Sequence, residues 1–104
     1  MKLKLIVTVP ETHADIVREA IGKTGKDKIG NYGFCSFSTK GVGRFRPEEG
    51  ARPAIGRPGK LTRVFEERIE FVCAPQALNK VLAAIKKVHP YEEPAIEMWE
   101  VILP

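Results

Sequence analysis

Five apolar residues, Leu78, Val81, Leu82, Ile85 and Val88, recur at a three-four spacing, and this constrains the chain more than any other feature. The spacing puts them on one stripe of a helix. Pro75 suits the first turn of that helix, where its missing N–H costs nothing. His89-Pro90 ends it, because Pro90 disfavours helical geometry at the preceding residue. A strand is expected on either side. In Phe65 to Cys73, Phe65, Ile69, Phe71 and Cys73 share one face and Glu66, Arg68 and Glu70 the other, with Glu67 an exception on the apolar side. In Ala95 to Leu103, Ile96 and Met98 oppose Trp99, Val101 and Leu103.

The N-terminal half has the same order. Leu3, Leu5, Val7 and Val9 alternate with Lys2, Lys4, Ile6 and Thr8, as in a half-buried strand. Pro10 ends it. A helix starting at Glu11 or Thr12 carries Ala14, Val17, Ala20 and Ile21 on one stripe and closes at Gly22 and Gly25. Aromatic content makes Tyr32 to Thr39 a second strand. The resulting order is strand, helix, strand, strand, helix, strand. It predicts an α+β, ferredoxin-like sandwich: a four-stranded antiparallel sheet with both helices on one face. The length fits one domain over residues 1–104. The helices leave the other sheet face bare, and Ile6, Trp99 and Val101 fall there, which predicts self-association.

The third and longest connection changes character. From Lys40 to Lys60, Gly41, Gly43, Gly50, Gly56 and Gly59 mix with Pro47, Pro53 and Pro58, so a long loop is expected over about 40–64. Arg44, Arg46, Arg52, Arg57, Lys60 and Arg63 outweigh Glu48 and Glu49 there, and this surplus accounts for the whole net charge of +4. The basicity is therefore local. No apolar run is long enough to span a membrane, and the N-terminal apolar stretch is too short for a signal peptide, so a cytoplasmic protein is expected. Cys35 and Cys73 then read as two buried thiols in strands.

Several stretches resemble the YqfO family: Gly30 to Ser38, Gly41 to Pro47, Gly50 to Gly56, Glu66 to Glu70, and His89-Pro90-Tyr91-Glu92-Glu93-Pro94-Ala95. In longer relatives this module is inserted into a Nif3-like, dimetal-binding protein, and here it resembles a stand-alone form. The resemblance implies a fold similar to the signalling protein PII and the ion-tolerance protein CutA, both trimers, and hence a homotrimer. PII carries a long loop where this chain has its basic segment. The dimetal ligands belong to the flanking domain, so no metal centre is carried over. A separate Nif3-like protein becomes a possible partner.

Two segments stand out as candidate sites. His89, Glu92 and Glu93 are residue types that ligate divalent cations or move protons. Their structural alternative is a joint in which Tyr91 packs and the acids cap neighbouring groups. The second segment is the loop, whose Arg44, Arg46, Arg52 and Arg57 suit a small anionic ligand such as a nucleotide. It lacks a Walker pattern, because Leu61 follows Gly-Arg-Pro-Gly-Lys, and Gly41-Val42-Gly43 opens no helix. Phe45 between Arg44 and Arg46 suggests base stacking, yet Glu66 and Glu70 on the next strand would repel phosphate, which argues against nucleic acid. No triad or Cys-His pattern designates a catalytic residue, and no cofactor is indicated. Thr12 reads as a helix cap.

The expectation is a small oligomeric regulatory or binding module for a small anion, a metal ion or a protein partner. The alternatives are a metal-handling protein or enzyme using His89, Glu92 and Glu93, and a purely structural trimerisation module.

Overall fold

The N-terminal alternation forms β1 (Lys2–Pro10), and the chain turns directly into α1 (Glu11–Lys23) in a computed structural model that describes residues 1–104. Then follow β2 (Phe37–Phe45), β3 (Thr62–Cys73), a single 3₁₀ turn at Pro75–Ala77, α2 (Leu78–Val88) and β4 (Ile96–Val101). The strands form one antiparallel sheet in the order β2-β3-β1-β4. This is the ferredoxin-like arrangement that the order of periodicities predicts.

Register assigns the two faces. Leu5 lies opposite Phe71 on one side and Met98 on the other, and Val7 opposite Ile69 and Ile96. These residues share a face with Leu3, Val9 and Cys73, and α1 and α2 cover it with Ala14, Val17, Ile21, Val81 and Ile85. Leu78, Leu82 and Val88 pack at its edge. Burial pushes the Cys73 thiol up, away from its reactive thiolate form. Glu67 falls on this apolar face because α1 brings it a counter-ion: Arg18 bonds Glu67, Asp15 at 2.6 Å and Ser38 at 3.0 Å.

The second strand starts and ends later than expected. Tyr32 and Phe34 are exposed and lie outside it. Ile29 and Tyr32 instead close a small turn through two backbone hydrogen bonds, and Phe34 takes a left-handed backbone (φ 54°) that lays its ring against Gly22. Cys35 is correspondingly half-exposed rather than buried. Gly41 and Gly43, expected in the loop, pair with Glu66 and Val64 inside the sheet. Two glycines lower strand propensity, but a long partner strand supplies the ladder, and such context outweighs propensity. Thr12 bonds His13 at 2.8 Å and no side chain caps α1, because the helix begins at Glu11 immediately after Pro10.

The β2–β3 ladder outruns the rest of the sheet. The pairing of β1 with β3 ends at Pro10–Glu66, whereas β2 and β3 continue from Val42–Phe65 to Phe45–Thr62. Phe65 is exposed for this reason: it lies beyond the strand that the helices cover. The molecule is 46 Å long, and its radius of gyration of 14.5 Å exceeds the roughly 13 Å usual for about 100 residues.

Candidate functional site

The connection of residues 46–61 leaves the end of this projecting ladder and folds back on itself. The Gly59 N–H donates to the Pro47 carbonyl at 2.8 Å and closes its neck. Gly50, Gly56 and Gly59 take positive φ values of 93°, 83° and 81°, which only glycine adopts without strain. The Arg52 N–H donates to Glu92 Oε1 at 3.1 Å, tying the loop to the α2–β4 joint. Between loop, joint and helix-free sheet face lies a cavity of about 330 Å³. That size falls in the range of small-molecule sites.

Its floor is polar and ordered. Glu66, on β3, is over nine-tenths buried. Its carboxylate lies over Gly43, where any β-carbon would collide with it, so the glycine that weakens β2 makes room for this acid. Tyr91 donates its hydroxyl to Glu66 Oε2 at 2.8 Å. Burial first, then the bond to Glu66 and its charge, push the Tyr91 phenol well above its ordinary range, so it stays a donor. Phe45 packs edge-on to Tyr91, ring centres 5.7 Å apart. Pro47, Pro53, Ala54 and Ile55 from the loop complete an apolar wall.

His89 stands behind this floor and does not line the cavity. One ring nitrogen, Nε2, lies 2.8 Å from the Thr8 carbonyl, and the Tyr91 N–H donates to the other, Nδ1, at 3.1 Å. A carbonyl can only accept, so Nε2 carries the proton and Nδ1 is the acceptor. Burial, the largest cause, lowers its pKa, opposed by the Thr8 carbonyl and the Glu66 charge, so the ring is held neutral. With both nitrogens used, His89 has no lone pair left for a metal, and no three His, Cys, Asp or Glu side chains gather as a metal-holding group. The joint His89 to Glu93 thus acts here through Tyr91 and Glu92.

The four arginines do not converge. Arg44 lines the cavity, Arg46 pairs with Glu48 at 2.7 Å on the loop's outer side, Arg52 contributes its backbone N–H, and Arg57 is exposed. Glu93 lines the cavity beside Glu92. Sequence reasoning missed Glu66 and Gly43 as members of the site. Their signal was present: a carboxylate directly opposite glycine-rich sequence, legible only once the register is known.

No family model matches the chain. Its sequence is 52% identical over 96 residues to a GTP cyclohydrolase 1 type 2 homolog of Halalkalibacterium halodurans, covering 92% of this chain and 26% of that protein. A Bacillus cereus protein related to NIF3 superposes with a TM-score of 0.81 at 43% identity, over 94% of this chain and 25% of that one. The chain is a relative of the YqfO, Nif3-like proteins. It spans about a quarter of the length of the relatives it matches. The periplasmic divalent cation tolerance protein CutA of Archaeoglobus fulgidus shares the fold at a TM-score of 0.73 and 14% identity, over 100% of this chain and 87% of that one. At that identity the likeness is one of fold. In this YqfO-like chain the resembling segments around Gly43, Glu66 and Tyr91, distant in sequence, meet at one cavity.

Proposed function

We propose that this protein is a small oligomeric binding module whose loop-walled cavity takes a small ligand, and that it works as a homotrimer in the cytoplasm. The single observation that carries the reading is the cavity itself: about 330 Å³, walled by the loop, with the Glu66–Tyr91 pair as an ordered polar floor. Concave, mostly apolar spaces with a few fixed polar groups are the usual form of ligand sites. Oligomerisation is supported by the bare sheet face, where Phe37 is 67% and Trp99 46% exposed. It is also supported by the small core, a cluster of 12 buried residues. No helix is long and apolar enough to cross a membrane. The proposed module function concerns this region alone, since the cyclohydrolase name belongs to proteins about four times longer.

Native mass spectrometry of gently purified protein tests both parts. A trimer carrying extra mass, lost when Glu66 is replaced by glutamine, is the expected result. A bare trimer indifferent to changes in the cavity would instead favour a structural trimerisation module. A monomer would remove the assembly from the proposal. A Nif3-like protein is a candidate partner, and co-purification from cells carrying both would reveal it.

A further inference from the structure

The cavity's lining is unbalanced in charge. Glu66, Glu92 and Glu93 bring three carboxylates, and Arg44 alone brings a cation. Glu92 already accepts the Arg52 N–H through Oε1. Glu66 is the unusual member. It is only 8% exposed, yet none of the chain's ion pairs includes it. Oε2 accepts the Tyr91 hydroxyl, whereas Oε1 accepts no hydrogen bond. Asp27 Oδ1 is the one fully enclosed side-chain atom without a partner, so Glu66 Oε1 keeps some exposed surface beside Gly43, on a residue that lines the cavity.

A carboxylate held in a mostly apolar space, with one oxygen unmet, calls for a donor that also brings positive charge. We infer that the cavity takes a small organic cation, an amine or amidine on an apolar body. Its N–H groups meet Glu66 Oε1, and its body lies against Phe45, Pro53 and Ile55. The inference rests on the cavity being a binding site at all, and it adds the ligand's charge. Aromatic rings at Phe45 and Tyr91 favour a cation further. A bare metal ion fits poorly, because no three ligating side chains gather there. An anion would have one guanidinium in its favour and three carboxylates against it.

The test is an amide-resonance titration of the full chain with benzamidinium, benzamide and benzoate, which share a shape and differ in charge. Benzamidinium should move the amides of Gly43, Arg44 and Tyr91, and more strongly than benzamide. Glu66→Gln keeps the side chain's size and an acceptor for Tyr91, and should weaken benzamidinium about tenfold or more, as expected for a lost charged hydrogen bond. If that variant fails to fold, the wild-type order of the three probes still decides. Benzoate binding at the same amides more tightly than benzamidinium would overturn the cationic ligand and leave the binding site standing. Equal benzamidinium affinity in Glu66→Gln would do the same. If none of the three moves a cavity amide, both the ligand class and the site fall.

Discussion

The two faces of one sheet are stabilised by different means. On the helix side, Leu5, Val7, Ile69 and Phe71 meet Val17, Ile21, Val81 and Ile85 through apolar, non-directional contacts, with the Arg18–Glu67 pair as the polar exception. One residue further along the same strands, the other face carries Thr8, Glu66, Gly43 and Phe45, held by bonds of fixed direction. The Thr8 carbonyl accepts from His89, His89 accepts from the Tyr91 N–H, and Tyr91 donates to Glu66. The apolar layer tolerates many residues of suitable volume. The polar chain tolerates few, because His89 and Glu66 are buried, Thr8 and Tyr91 partly so, and a partner is left unsatisfied when any member is lost. Fold and site are thus separable on the same strands, and substitutions should show it.

The largest effect belongs to the helix side. Ile85→Ala removes fully buried volume between α2 and the sheet and should cost about 2–5 kcal/mol, read from urea denaturation. The folded fraction should retain the tyrosine environment of the cavity. A small cost, or a selective loss of the cavity signal, would mean that the two faces are coupled. Tyr91→Phe is the matching change on the open face. It leaves Glu66 Oε2 without its donor and should cost about 1–3 kcal/mol. The amides of Gly43 and Glu66 should shift while those of Val81 and Ile85 do not. An unchanged stability would show that water replaces the hydroxyl at no cost.

The same contrast explains what could be read from the sequence. The helix-side layer was legible because periodicity reports it directly: the stripe from Leu78 to Val88 and the alternation from Leu3 to Val9 each name their buried face. The second strand was misplaced because its own signals pointed the wrong way. Tyr32 and Phe34 read as strand, although one joins a local turn and the other covers Gly22, while Gly41 and Gly43 read as loop, although they belong to the ladder. That segment is fixed by β3, a partner many residues away, and not by local preference. The same holds for the site. His89, Tyr91, Glu92 and Arg44 could be singled out by type, but the chemistry turns on Glu66 lying over Gly43, and that follows from register. Glu67, an apparent exception in the alternation, needed Arg18 from α1 before its place made sense.

The smallest expected effect separates the faces by pH. His89 has a lowered pKa in the folded protein against an ordinary 6.5, with burial the main cause and nearby His13 a minor one. The Thr8 carbonyl and Glu66 act in the opposite direction, which keeps the effect modest. As pH falls through 6.5, the unfolded chain takes up the proton first, so it binds more protons than the folded chain and stability declines. The contribution is fully present above the unfolded value and is lost as pH drops toward the lowered one. Protonation also removes the acceptor that the Tyr91 N–H uses, so the open face should loosen before the helix side does. Urea midpoints at pH 7.5 and 5.5 should therefore differ, and His89→Gln, which cannot titrate, should narrow the difference. Amide exchange should quicken at Tyr91 before it quickens at Val81. If His89→Gln leaves the difference unchanged, the acid sensitivity lies in other groups and the histidine merely fills space between β1 and the joint.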